Sequence, residues 1–199
     1  MEAQDRKTRL KEEIRANILD AAFKLAKDNG WEAVSMRKIA TMISHTAPVI
    51  YDYFQNKEAI LKELSRAGFQ QLTARMTEAQ QLHEQPEQQL EAVWAAYLDF
   101  SQVEKEYYQL MFGLGVPVSA NHTTLPEIAE PLALVQQVIR QSAVAEQLSE
   151  EEVVRRSWLQ WSVVHGLTAL GSLFREDREV FNKQVLQDVL RNTAVATAA

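Results

Sequence analysis

The sequence predicts an all-α protein, and three observations carry that prediction. Glycine and proline are scarce, 6 and 5 in 199 residues, so few sharp chain reversals are available. The stretches between them are rich in Ala, Leu, Glu, Gln and Lys, which propagate helices well. No segment alternates apolar and polar residues in the way a half-buried strand requires. Hydrophobic residues make up 46% of the chain and charged residues 24%, enough for a packed core and outside the range of disordered sequences.

The elements follow in order. From Lys11 to Asn29 the apolar residues Ile14, Ile18, Leu19, Ala22, Phe23 and Ala26 recur at helical spacing and form one stripe. Gly30 then supplies the left-handed C′ residue that helix ends favour. Ser35 is placed to cap a second helix, Met36 to about Ile43, with Ile39, Ala40 and Ile43 turned inward. Ser44 and His45 form a short turn. Thr46 is placed to cap a third short helix ending at Tyr53 or Phe54. Pro48 sits in its first turn, where a missing N–H costs little. Asn56 caps a fourth helix from Lys57 to about Leu82, and Pro86 breaks the chain after it.

A fifth helix spans Glu87 to Val103. Residues 106–112 are short and aromatic-rich, and no charged residue occurs from Tyr107 to Pro126, where Gly113, Gly115 and Pro117 mark a loop. A helix is expected from Glu127 to Gln147. Ser149 with Glu152 three residues on has the capping-box form and opens a long helix to about Phe174. The last helix runs from Glu179 to Asn192, followed by a frayed tail.

Composition narrows the function. The net charge is −6 and the pI about 5.3. The charge is uneven: residues 1–66 hold 12 Lys+Arg against 10 Asp+Glu, and residues 67–199 hold 9 against 17. The N-terminal third is the part able to approach a polyanion. There is no cysteine, so disulfides, thiol nucleophiles and zinc-thiolate sites are excluded. No apolar run reaches the roughly 18 residues of a membrane span, and no signal-peptide core opens the chain, so the cytoplasm is the expected compartment. The four histidines have no metal-ligand spacing, so no metal or other cofactor is expected. G-x-S-x-G, H-E-x-x-H, the phosphate-cradling P-loop and G-x-G-x-x-G are all absent from the sequence, and an enzyme is not expected.

Residues 35–54, SMRKIATMISHTAPVIYDYF, describe two short helices with a tight turn between them, each preceded by a hydroxyl residue. That is the form of a helix-turn-helix. A helix fits the DNA major groove, about 12 Å wide. The outward residues Thr46, Ala47 and Val49 are small or hydroxylated and can approach base edges and thymine methyls. Ser35, Arg37, Lys38, His45, Tyr51, Tyr53 and Lys57 surround them as candidate phosphate partners.

Here the sequence resembles the TetR family of bacterial regulators. AAFKLAKDNGWEAVSMRKIA and VIYDYFQNKEAIL match that family's N-terminal pattern in continuous register over about residues 11–65. Two departures stand out: Ser44-His45 replaces a turn that usually begins with glycine, and Pro48 replaces a small residue. Trp161 with His165-Gly166 is similar to the W-x-x-x-H-G stretch of one C-terminal subfamily. The resemblance implies a DNA-binding domain at 1–56 and a helical regulatory and dimerisation domain at 57–199. It implies double-stranded DNA with a palindromic operator as partner, and a homodimer joined through the last two helices. Apolar residues in excess of one bundle face fit that interface: Leu167, Leu170, Leu173, Phe174, Val180, Phe181, Val185, Leu186, Val189 and Leu190.

The function expected is a transcriptional regulator, a repressor released from its operator by a small hydrophobic or aromatic effector. The candidate effector residues are Trp94, Tyr97, Tyr108, Phe112, Trp158, Trp161 and His165, with Gly113–Pro126 as a rim. Tyr and Trp bring an apolar body with a polar handle, which suits a mostly apolar ligand with few polar atoms. The same aromatics also suit a filled core. Gly166 and Gly171 inside a helix each cost about 1 kcal/mol relative to Ala, which points to close approach at an interface or ligand.

Overall fold

The computed structural model of the chain describes residues 2–113, 125–142, 148–173 and 179–194. Among these, every regular element is helical. The α-helices are α1 (Glu2–Asn29), α2 (Met36–Met42), α3 (Ala47–Tyr51), α4 (Lys57–Gln81), α5 (Pro86–Val103), α6 (Lys105–Phe112), α7 (Glu130–Gln141), α8 (Glu150–Leu173) and α9 (Glu179–Ala194). Short 3-10 turns occur at Trp31–Ala33 and Pro126–Ala129.

Three boundaries differ from the sequence reading. The first helix starts at Glu2, well before the apolar stripe begins. The third ends at Tyr51, because the amides of Tyr53 and Phe54 both turn back onto the Ile50 carbonyl and close a compact turn. Where a helix is expected over 127–147, the described part is a 3-10 turn followed by α7, and residues 143–147 lie outside the described residues. Pro131, which lacks an N–H, sits in the first turn of α7 and sets its start. The rim residues 114–124, Phe174 and the last five residues lie outside the described residues.

The chain divides into two compact units: residues 1–68 with 106–125, and residues 69–105 with 126–199. The boundary expected at residue 56 therefore falls inside the first unit, which also takes in the start of α4 and α6 from Glu106 onward.

The first unit closes on an aliphatic core. Ile18, Ala22, Ile39, Ile50, Ile60 and Leu110 are each fully or nearly fully buried, and Trp31 and Phe54 pack with them. Gly30 ends α1 at φ 79°, ψ 162°, a conformation that favours glycine, with its amide on the Ala26 carbonyl at 2.7 Å. Its ψ is extended rather than helical, so it leaves the left-handed helical region the sequence reading gave it. The Trp31 indole N–H donates to the Glu106 carbonyl at 3.1 Å, and Phe23 stacks on Tyr107 at 4.1 Å, fixing α6 against the first helix and its following turn. At Gly68 an added Cβ would lie 2.6 Å from the Met111 sulfur and 3.2 Å from the Tyr107 ring, so α4 and α6 approach closely there.

In the second unit α5 packs against α7, α8 and α9, and α8 packs against α7 and α9. Along α8 the buried positions are Val153, Arg156, Ser157, Gln160 and Val164, the spacing of one inward seam. The capping box forms as read from the sequence: the Ser149 amide donates to Glu152 at 3.0 Å and the Glu152 amide donates to the Ser149 hydroxyl at 3.3 Å. The Ser149 amide and the Ser149 hydroxyl both donate to the Glu152 carboxylate and hold it below its ordinary range.

Candidate nucleic-acid interface and aromatic cluster

The helix-turn-helix is built by local rules. The Ser35 hydroxyl accepts the Lys38 amide at 3.4 Å and opens α2. At the other end of α2 the His45 amide reaches the Ala40 carbonyl at 2.8 Å and the Ser44 amide reaches Thr41 at 3.2 Å. This paired closure is the Schellman arrangement, whose C′ residue must be left-handed. Ser44 takes that role at φ 57°, without glycine. The His45 side chain supports the turn by donating from Nδ1 to the Ile43 carbonyl at 2.6 Å. The outward Nε2 of a neutral ring is then an acceptor, and it donates to a phosphate only as the imidazolium.

Thr46 occupies the N-cap position of α3 with extended backbone, but its side chain makes no capping bond. The Val49 amide is met instead by the Thr46 backbone carbonyl at 3.1 Å, and Pro48 has no N–H to offer. The hydroxyl therefore stays exposed and available to a partner outside the chain. Ala47 and Val49 are half-buried beside it, while Ile50 on the opposite face is fully buried.

Arg37 and Lys38 are exposed and share a shallow surface hollow with Ser35 and Thr41. Tyr51 is 55% exposed, Tyr53 is half-buried against the core, and Phe54 is core. Lys57 is different. Its Nζ donates to the Trp31 carbonyl at 2.9 Å and is half-buried, so one of its three donors already holds the turn after α1. Asn56 caps α4 through its side-chain oxygen, 2.8 Å from the Ala59 amide.

The seven aromatic-set candidates do not form one cluster. Trp94, Tyr97, Trp161 and His165 come together in the second unit. The Trp94 and Trp161 rings lie 5.9 Å apart edge-on, Tyr97 and Trp161 5.3 Å, and the Tyr97 hydroxyl is 3.1 Å from His165 Nδ1. Trp94 and Tyr97 are fully buried, Trp161 and His165 half-buried. Burial holds the His165 imidazole below its ordinary pKa. Tyr108 and Phe112 pair with each other at 4.7 Å in the first unit. Trp158 is 56% exposed, because the inward seam of α8 passes through Ser157 and Gln160. Gly166 has nothing within 4 Å of an added Cβ, so no close approach among the described residues accounts for it.

Sequence reasoning missed the polar chain beneath this cluster. The Trp94 indole donates to Gln160 at 2.9 Å, the Gln160 amide donates to the Thr193 hydroxyl at 2.9 Å, and the buried Arg156 donates to the Thr193 carbonyl. The signal available was Gln160 four residues after Arg156 and three after Ser157, polar residues recurring on one face of the helix. Thr193 had been assigned to a fraying tail; its hydroxyl is instead buried and tied to α8.

The comparisons agree with this architecture. The family described as "Bacterial regulatory proteins, tetR family" matches residues 18–64, and "Tetracyclin repressor-like, C-terminal domain" matches residues 90–180. The chain belongs to the TetR family. The HTH-type transcriptional activator FasR of Mycolicibacterium smegmatis is 25% identical over 119 residues, which are 60% of this chain and 52% of FasR. The chain thus spans about half the length of that curated relative. A protein of unknown function from Rhodococcus sp. RHA1 superposes with a TM-score of 0.76 at 19% identity, covering 91% of this chain and 95% of that one. A tetR-family regulatory protein from Rhodococcus RHA1 superposes at 0.68 and 17% identity, covering 92% and 97%. These two likenesses establish the fold. The two matched models place a regulatory-protein N-terminal domain over the helix-turn-helix and a repressor-like C-terminal domain after it. No described helix is long and apolar enough to cross a membrane, and no described group of His, Cys, Asp or Glu could hold a metal ion.

Proposed function

We propose that this TetR-family regulator is a homodimeric repressor that reads a palindromic operator through α3 and releases it on binding a small, mostly apolar effector. The observation that carries the reading is the completed helix-turn-helix, in which Ser44 closes the turn and leaves the Thr46 hydroxyl without an internal task. Thr46, Ala47 and Val49 face bases, and Ser35, Arg37, Lys38, His45, Tyr51, Tyr53 and Lys57 face the backbone. Recognition helices of this kind work in pairs about 34–36 Å apart, which requires a second copy. The apolar residues Val154, Trp158, Leu159 and Leu170 on α8 and Val180 and Phe181 on α9 are exposed in the single chain and support a second copy as their cover.

The effector site proposed is the Trp94–Tyr97–Trp161–His165 cluster, where Tyr97 and His165 offer polar atoms among aromatic faces. Tyr108, Phe112 and Trp158, apart from that cluster, are dropped from the pocket. FasR is named an activator, so the deciding experiment includes transcription as a readout. Duplexes are selected from a random pool, then tested for release and for in vitro transcription while hydrophobic compounds are screened by Trp fluorescence. Arg37→Ala lowers affinity for all duplexes alike, and Val49→Ala changes base preference. Selected duplexes with no inverted repeat, or quenching without release, overturn the reading.

A further inference from the structure

We propose that residues 6–11, on the projecting start of α1, form a second DNA-backbone contact surface beside the helix-turn-helix. The proposal rests on the DNA-binding reading above and adds a site to it. Ile14 is the first residue of α1 packed on the core, and Ile18 is the first that is fully buried. Residues 5–13 are all exposed. At 1.5 Å per residue they project the helix by about 13 Å. This stretch holds Arg6, Lys7, Arg9 and Lys11, four cations in six residues with no carboxylate among them. None of the four makes an ion pair among the described residues, whereas Arg15 and Arg66 both pair with Glu63.

Placement and charge select the occupant. Asn17, Asp20 and Ala21 of α1 border the same surface hollow as Met42, Ile43 and Ser44, so α1 runs past the turn that positions α3. Arg15 lies over the Phe54 ring at 5.2 Å, just after α3 ends. The four cations are about 6–14 Å further along the same helix from Arg15, by its rise per residue. Duplex DNA carries one charge per about 1.7 Å of axis, so a helix start of this length spans several phosphates. The balance of residues 1–66 is +2 with these four cations and −2 without them. Without these four cations residues 1–66 would be net negative despite Arg37 and Lys38 of α2.

The test uses the full chain and a duplex selected from a random pool with long flanks. Binding is measured across a salt series for the wild type and for the variant Arg6→Gln, Lys7→Gln, Arg9→Gln, Lys11→Gln, with sedimentation mass as a control. Each lost phosphate contact flattens the slope of log affinity against log salt by about 0.9, so a loss of roughly two to four per protomer is expected. Selected and scrambled duplexes should weaken by the same factor. A second variant, Glu12→Gln with Glu13→Gln, removes the adjacent carboxylates and should tighten binding, a sign that damage to the fold does not produce. An unchanged slope in the first variant overturns the proposal alone. A changed mass with an unchanged slope overturns it in favour of a second copy's acidic half. A wild type that binds no duplex overturns the DNA-binding reading as well.

Discussion

The two units of this chain bury different materials. The DNA-binding unit closes on aliphatic side chains, with Ser65 and Glu106 as its buried polar residues among those described. The regulatory unit buries Ser101, Arg156, Ser157, Gln160 and Thr193, and threads hydrogen bonds from Trp94 through Gln160 to Thr193. An apolar core tolerates any neighbour of similar shape. A buried polar chain demands particular partners, and leaving one unmet costs about 1–3 kcal/mol. The DNA unit keeps its candidate DNA-facing side chains Thr46, Arg37 and Lys38 exposed. The regulatory unit keeps its polar chemistry inside, where a change in packing and a change in hydrogen bonding are the same event.

The largest test of that contrast is Trp94→Ala. Its side chain is fully buried and hydrogen-bonded, so the loss of packing should cost about 3–5 kcal/mol in denaturant unfolding. Trp158→Ala, exposed on the same unit, should barely change monomer stability and should weaken self-association measured by sedimentation. Equal losses for the two tryptophans would erase the distinction between core and interface. Next in size is Gln160→Ala, which strands the Trp94 indole, while the Thr193 hydroxyl keeps its bond to the Val189 carbonyl at 2.8 Å. A loss of about 1–3 kcal/mol is expected, with Gln160→Leu milder if shape rather than bonding dominates.

Much of the DNA unit was legible because its rules are local. Ser35 caps α2, Asn56 caps α4, and Pro48 lies in the first turn of α3, each within a few residues of its partner. The turn at Ser44-His45 was readable as a bend made without glycine, and Ser44 bears that out at φ 57°. The regulatory unit was less legible because its contacts join distant positions. Gln160 meets Trp94 across 66 residues, and no spacing along one helix encodes that. Trp158 and Trp161 look alike in sequence, yet the seam through Ser157 and Gln160 sends one outward and leaves the other half-buried. Lys57 was read as a phosphate partner from its place at a helix start. Its bond to the Trp31 carbonyl needed the fold.

Local rules predict smaller, separable effects in the DNA unit. Ser44→Gly relieves a left-handed conformation that an ordinary residue pays roughly 1–2 kcal/mol to adopt, offset by the extra backbone freedom of glycine when unfolded. A net gain of about 0.5–1 kcal/mol is expected in thermal unfolding. Ser35→Ala should lose about 0.5–1 kcal/mol, at the low end for a cap because the bond is long and exposed. If Ser44→Gly destabilised the protein, the turn would owe its geometry to something other than the Schellman closure.

The smallest effect is a response to pH in the regulatory unit. His165 is held below its ordinary pKa by burial beside Tyr97, so the folded chain binds its proton less readily than the unfolded chain does. Between the lowered folded value and the ordinary 6.5, the unfolded state carries more protons. Stability must then rise with pH through that window and level off above it. Acidification from neutrality into the window should move the urea midpoint down, and His165→Gln should flatten that part of the curve while keeping a hydrogen-bonding group near the Tyr97 hydroxyl. A window that survives His165→Gln would place the acid-sensitive group elsewhere in the chain, and would end the claim that burial of this imidazole beside Tyr97 sets the response.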